Sequence, residues 1–443
     1  MIPATAPLLL AELHGSLTAP SMNSMNFLNE ISARYPDAIS FAAGRPTEQF
    51  FETAVVHRCL DRFTEYLRTE LGMNEQEIRR TLLQYGRTKG IIHELIRDHL
   101  ALDEGISVPA DAVVVTVGCQ EAMFLVLRAL GSGPQDVVFA VTPTYVGFAG
   151  AARLADLPVR PVGSGPGGID LDDLRRELAR ARAEGLRPRG LYVIPDVANP
   201  TGVSMNLDTR SALLRIAEES DLLLFEDNPY GVFAGSDRLP SLKALDTTGR
   251  VIYFGSFAKT AFPGARVGYV VADQQVADEA GNSGLLADRL AVIKSMLTVN
   301  TSPLAQAVVG GALLTHDLSL RSGNTRQIAY YQRNLRLLRE ALSRRLPTDI
   351  TWNAPSGGFF LSLTVPFVAD EAALEYSARE HGVLWTPMSY FYEGDGGRCQ
   401  LRLSFSQLDP ETIETGVDRL AASFECLRIR SHCTPHSQTD ISC

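Results

Sequence analysis

From residue 111 onward, short and largely apolar runs alternate with longer stretches whose apolar positions recur at helical spacing. The runs are 112–117, 136–141, 157–162, 190–194, 222–225 and 251–254. Most are flanked by Gly, Pro, Asn or Asp, and each reads as a buried strand. Between them, 121–130, a stretch ending near Leu154, 171–184 and 208–220 read as helices. Strands alternating with helices in this way predict an α/β fold, a mostly parallel sheet between helical layers.

The pattern differs at both ends. Residues 25–34, 53–71, 74–82 and 90–100 are helix-patterned, and 38–43 is strand-like. From about Ala305 the chain becomes helical, with a long segment at 325–345. Short strands follow near 358–363, 383–385 and 401–406, and a late helix at 410–428. This reads as a smaller α+β domain. The expected organisation is an N-terminal arm with part of the small domain (1–50), a large domain (51–304), the small domain (305–428) and a disordered tail (429–443).

Composition narrows the picture. A chain of 443 residues with 45% hydrophobic and 21% charged content is ordinary for a globular enzyme. A net charge of -10 argues against nucleic acid or an anionic membrane as the main partner. No run approaches the length of a membrane span. The first residues lack the basic stretch of a signal peptide, so a cytoplasmic location is expected. The six cysteines form no C-x-x-C pair and fit reduced thiols. Cys433 and Cys443, with His432 and His436, show no closed four-ligand spacing, and no metal is expected.

The chemistry gathers where strands end. The run 251–254 leads into Gly255, Ser256, a lone Lys259, and then Arg266 among Pro263, Gly264 and Gly268. A lysine leaving a buried strand is desolvated, which lowers its pKa and makes the free amine a nucleophile. Ser256 and Arg266 suit a phosphate. Together they suggest a lysine that holds a phosphorylated aldehyde as a Schiff base. Asn199, Asp227 and Lys259 all follow strands, and in such sheets ligands bind beyond the strands' carboxyl ends. Gly118, Cys119 and Gln120 form a strand-to-helix turn of the kind that points backbone N–H groups at phosphate. The glycine run 163–168 matches G-x-G-x-x-G in form only. The Asp170 cap places the following helix start after the glycines, which disfavours a nicotinamide site.

A pyridoxal phosphate site needs a lysine, a carboxylate for the ring nitrogen, donors for the ring oxygen, an aromatic face and a phosphate cup. Lys259, Asp227, Asn199 with Tyr230, Tyr145, and the 118–120 turn with Ser256 and Arg266 supply these types. Taken singly, Asp227 and Asn199 could be helix caps, Tyr145 and Tyr230 core aromatics, and Arg266 half of a surface ion pair. The Gly44-Arg45-Pro46 loop reads equally as a site lining or a surface turn.

With these motifs the chain resembles the class I/II aminotransferases of pyridoxal 5′-phosphate fold type I, in the subgroup of 2-aminoadipate and kynurenine aminotransferases. The motifs are Leu83-Gln84-Tyr85-Gly86, Ala198-Asn199-Pro200-Thr201-Gly202, Glu226-Asp227-Asn228-Pro229-Tyr230, Gly255-Ser256-Phe257-Ala258-Lys259, Pro263-Gly264-Ala265-Arg266-Val267-Gly268 and Leu401-Arg402-Leu403-Ser404-Phe405. The resemblance implies a seven-stranded-type sheet with Lys259 as the Schiff-base lysine and proton carrier. It implies Asp227 at the pyridinium nitrogen, Asn199 and Tyr230 at the ring oxygen, and Tyr145 stacked on the ring. Ser256, Arg266 and Gly118, Cys119 and Gln120 would hold the phosphate. Tyr85 would reach the partner's phosphate in a homodimer. Arg402 would clamp the substrate carboxylate, with Gly44, Arg45 and Asn199 beside the substrate. Ala258 departs from the family's usual serine, so one hydroxyl near the phosphate is lost.

The stretches 41–46, 86–90 and 118–122 are similar to aminotransferases that make hydroxyphenylglycine and dihydroxyphenylglycine for peptide antibiotics. The expected reaction moves an amino group between an aromatic amino acid and an arylglyoxylate. Arg45 leaves open an acidic substrate such as 2-aminoadipate. A lyase, cyclase or oxidase use of the same cofactor is a further reading. A regulatory domain is disfavoured, because the residues before Ser40 are too few and not basic enough for a DNA-binding module.

Overall fold

The apolar runs form one sheet whose order is Val113–Thr116, Gly268–Val271, Val251–Ser256, Leu223–Asp227, Arg187–Val193, Asp136–Thr142 and Val159–Gly163. The computed structural model describes residues 8–18, 30–235 and 238–433. Neighbouring strands from Val251–Ser256 to Val159–Gly163 pair in parallel. Helices cover the sheet, which explains why its central strands carry apolar residues on both faces. Val251, Ile252, Tyr253 and Phe254 are all buried.

One strand of this sheet goes beyond the sequence pattern. Gly268–Val271 runs antiparallel to both neighbours, with Ser256 opposite Gly268 on one side and Thr116 opposite Gly268 on the other. Its residues follow the arginine loop so closely that they read as part of that loop. The return matters for the site: because Ser256 and Gly268 pair, the loop 257–267 holds Lys259 and Arg266 at the same end of the sheet.

Local chemistry sets the helix boundaries. Asn74 caps Glu75–Leu83 in a capping box with Glu77. Asp170 accepts from the Asp172 and Asp173 N–H groups to start Leu171–Ala183 after the glycine run. The helix expected from Gly90 begins instead at His93, because Gly90 sits at φ +100°, outside helical space. Helices Leu286–Leu297 and Glu371–His381 lie where the sequence pattern leaves the chain unassigned.

The second sheet is antiparallel, in the order Thr351–Trp352, Phe360–Thr364, Gln400–Ser404 and Thr386–Pro387. Residues expected as one strand at 383–385 divide, with Val383–Leu384 pairing Ile39–Ser40 in parallel. The N-terminal segment therefore packs with the C-terminal half, where Phe41, Phe359, Leu401, Leu403 and Leu420 share a core. Full burial of each such side chain contributes about 1.5–3 kcal/mol. The final helix, Pro410–Cys433, runs past the expected end at Arg428. Of the expected helix at 25–34, residues 25–29 lie outside the described residues, as do parts of the arm (1–7 and 19–29) and the tail from 434. Cys59, Cys119 and Cys426 are free thiols. Cys399 is disulfide-bonded, a correction to the expectation of wholly reduced cysteines. Sequence spacing does not report which thiols a fold brings together.

Candidate active site

Beyond the carboxyl ends of the parallel strands lies a cavity of about 230 Å³. Lys259, Asp227, Asn199, Tyr230, Tyr145, Ser256, Arg266, Arg402, Cys119, Gln120, Gly44 and Arg45 all line it. Two expected residues do not. Gly118 sits immediately behind Arg266, and Tyr85 is 80% exposed, away from the cavity.

Lys259 Nζ donates to the Gly44 carbonyl at 2.9 Å. Burial pushes its pKa down to about 8, helped by the nearby cations Arg402, Arg266 and Arg45 and opposed by Asp227. A fraction of the amine is therefore neutral near pH 7.

Asp227 closes the strand Leu223–Asp227 and is almost wholly buried. The strand's alternation turns its neighbour Glu226 away to accept the Leu242 and Lys243 N–H groups. Oδ2 of Asp227 accepts from the Tyr192 hydroxyl at 2.6 Å, while Oδ1 has no partner among the described residues. Desolvation raises the carboxyl to about pKa 7, against the lowering effect of Tyr192 and then of Lys259. A buried carboxylate with an open oxygen is suited to a cationic N–H.

Arg402 lies on the strand Gln400–Ser404 of the second sheet, yet it reaches the first. Its Nη1 donates to Asn199 Oδ1 at 2.6 Å and its Nη2 to the Ala42 carbonyl at 2.8 Å. The guanidinium carbon lies 4.3 Å from the Phe360 ring centroid and 5.0 Å from that of Phe391. Burial lowers its pKa to about 10, so it remains cationic at neutral pH. Its Nε is unpartnered among the described residues.

At the opposite end, the helix Gly118–Leu130 opens towards the cavity, three residues earlier than expected from sequence. Gly118 adopts φ +73°, and a Cβ there would lie 2.6 Å from Arg266 Nη2, so the guanidinium rests directly over the turn. The Cys119 thiol donates to the Gly255 carbonyl at 3.0 Å, and burial raises its pKa. Gln120 Nε2 donates to the Gly147 carbonyl at 2.6 Å, fixing the helix Val146–Leu154 that begins beside Tyr145. Ser256 Oγ accepts the Ala258 N–H at 3.2 Å.

Sequence reasoning missed three contributors. Tyr192 lies inside a strand, where it reads as core. Phe360 and Phe391 belong to the second sheet and its following turn, and no motif marks them as neighbours of Arg402.

Against known proteins, residues 58–420 match the family model "Aminotransferase class I and II". The chain belongs to the class I and II aminotransferases. The aminotransferase is 56% identical over 412 residues to (S)-3,5-dihydroxyphenylglycine transaminase of Amycolatopsis orientalis, covering 93% of each chain. It is 31% identical to a 2-aminoadipate transaminase of Thermus thermophilus, covering 88% of this chain and 91% of the relative. Among solved structures, kynurenine aminotransferase of Pyrococcus horikoshii, in complex with PMP, superposes with TM-score 0.77 at 28% identity, covering 92% and 94% of the two chains. The α-aminoadipate aminotransferase of Thermus thermophilus, complexed with N-(5′-phosphopyridoxyl)-L-leucine, gives 0.76 at 30% identity, with coverage of 94% and 97%. The fold is thus that of the fold-type I aminotransferases, whose cofactor is pyridoxal 5′-phosphate. The residues present fit it: an open carboxylate oxygen on Asp227, an amine with lowered pKa at Lys259, and a guanidinium over a helix-opening turn. Among the described residues no helix is long and apolar enough to cross a membrane, and no cluster could hold a metal ion.

Proposed function

We propose that this aminotransferase exchanges an amino group between an aromatic L-amino acid and an arylglyoxylate. The product would be an arylglycine such as 3,5-dihydroxyphenylglycine, 4-hydroxyphenylglycine or phenylglycine. The observation that carries the reading is the 56% identity to (S)-3,5-dihydroxyphenylglycine transaminase across 93% of the chain. The aromatic walls around Arg402 support it. In an arylglycine the ring is attached to the α-carbon itself, so it lies close to whatever holds the carboxylate. Phe360 and Phe391 offer ring faces and edges there.

Bound pyridoxal phosphate supplies an electron sink conjugated with the substrate α-carbon. In our assignment Lys259 would be the nucleophile that holds the cofactor aldehyde; once the substrate amino group displaces it, its free amine would carry the proton removed from the substrate α-carbon. Asp227 Oδ1 would accept the N–H of the cofactor ring nitrogen, with Tyr192 steadying the other oxygen. Asn199 and Tyr230 would hold the ring oxygen, and Tyr145 would cover the ring face. Arg266, Ser256 and the backbone of Cys119 and Gln120 would take the phosphate, with Gly118, behind Arg266, shaping the turn. Arg402 takes the α-carboxylate as a planar two-pronged donor, with Gly44, Arg45 and Asn199 beside the substrate. Residues 51–304 would carry the cofactor, and 305–428 with the N-terminal segment would close the substrate side. We assign a cytoplasmic homodimer in which exposed Tyr85 reaches the partner's phosphate.

Arg45 on the cavity wall favours a second reading, a 2-aminoadipate or glutamate enzyme, since a second cation suits a distal carboxylate. Single amino acids added to the yellow holoenzyme separate the two. Loss of the visible cofactor band with phenylglycine-type amino acids and tyrosine or phenylalanine, but not with aminoadipate, supports the arylglycine reading. Conversion by aminoadipate or glutamate alone replaces it.

A further inference from the structure

We propose that Glu121 and Lys294 are a positioning pair for the Val117-Gly118 turn and thereby set affinity for the phosphate end of the cofactor. The inference rests on the assignment of that turn to the phosphate. Neither residue lines the cavity. Glu121 lies in the first turn of Gly118–Leu130, and its side chain folds back so that Oε2 accepts the Val117 N–H at 2.6 Å. Lys294 comes from the separate helix Leu286–Leu297 and donates to the same Oε2 at 2.8 Å. Thr298 joins them, donating to Glu121 Oε1 at 2.6 Å and accepting from Lys294 Nζ at 2.9 Å. The side chains of Lys294 and Glu121 are 0% and 6% exposed.

A buried ion pair is a poor device for stability alone, since apolar side chains of similar volume usually serve as well. Here the pair has a specific task. The Val117 N–H precedes the helix and has no intrahelical partner. Glu121 supplies one and fixes the turn. A bare carboxylate in the first turn would, however, repel a phosphate dianion drawn to the same helix end. Lys294 neutralises that carboxylate from behind. The turn is thus anchored by an anion without presenting a net negative charge to the ligand.

The test is the dissociation constant of the apoenzyme for pyridoxal phosphate and for pyridoxal, which lacks the phosphate. Both are measured with the melting temperature for Lys294→Met, Glu121→Gln and the double variant. Lys294→Met, which leaves the carboxylate unneutralised, should weaken pyridoxal phosphate about tenfold or more, the scale of a lost hydrogen bond to a charged group. Pyridoxal should be unaffected. Glu121→Gln should lose less, and the double variant should recover most of the loss caused by Lys294→Met. Equal weakening of both ligands, or no weakening of either, overturns the proposal. If Lys294→Met does not fold, the double variant decides: a retained preference for pyridoxal phosphate within a few-fold of Glu121→Gln supports the pair, and a collapse of both affinities rejects it. Arg266→Gln separates the underlying assignment. If that variant keeps its preference for the phosphorylated ligand, the phosphate site is misassigned. If it loses the preference while Lys294→Met keeps it, only the pairing falls.

Discussion

Tyr192 and Asp227 share a hydrogen bond of 2.6 Å that occupies one carboxylate oxygen and leaves the other open. The phenol is also stacked on Phe148, with centroids 4.1 Å apart, so its position does not depend on the bond. Tyr192→Phe should therefore fold normally and lose a bond to a charged acceptor, worth about 1.5–3 kcal/mol. The expected outcome is roughly tenfold weaker cofactor binding, read by titrating the apoenzyme. Unchanged binding would mean the phenol does not support the carboxylate.

Asp227 also makes apoprotein stability depend on pH. Its carboxyl is raised from 3.8 to about 7 in the fold, so the native state holds the proton more tightly than the unfolded chain. Stability is therefore lost as pH rises from about 4 to 7. Asp227→Asn removes this loss. The melting temperature of the apoprotein variant should gain on the wild type through that window and hold the gain above it. Parallel curves from pH 4 to 8 would show that the carboxyl is not raised. Cofactor binding should weaken in the same variant.

Lys259→Ala should abolish the visible absorbance of the purified protein, since no other amine takes its place on the aldehyde. An unchanged spectrum would remove Lys259 from the assigned role.

Arg402→Ala should raise KM for every amino acid tested, by about 100-fold if the two-pronged contact is worth about 3 kcal/mol. Arg402→Lys should rescue little, because an ammonium cannot reproduce the planar fork. A selective effect on one amino acid would place the carboxylate clamp elsewhere.

Arg45→Leu addresses the choice of substrate. In the arylglycine reading it leaves kcat/KM for aromatic donors within a few-fold of wild type. A selective loss of aminoadipate or glutamate turnover of tenfold or more would instead assign Arg45 to a distal carboxylate, on the scale of one charged hydrogen bond.

The strands that end at Asp227 and just before Lys259 are readable because burial on both faces leaves a continuous apolar run, and the polar residues that follow stand out against it. The return strand Gly268–Val271 is not, since no turn signal separates it from the arginine loop. Asn199 and Arg402 can each be picked out as motif residues, but their contact cannot, because it joins a loop after one sheet to a strand of the other. Tyr192 is hidden for a simpler reason. A tyrosine inside a strand satisfies the core pattern whether or not its hydroxyl has a task. The Glu121 and Lys294 pair likewise needs the fold, which brings the side chains together from separate helices.

The bond from Arg402 to the Ala42 carbonyl joins residues 360 positions apart in the chain. During synthesis at about 5–20 residues per second, the segment holding Ala42 waits roughly twenty seconds to over a minute for its partner. Within that interval the nascent polypeptide can complete strands that end at Asp227 and Ser256, but not the carboxylate clamp. Substrate recognition is therefore a property of the finished chain, acquired only after the sheet that carries Lys259 can already exist.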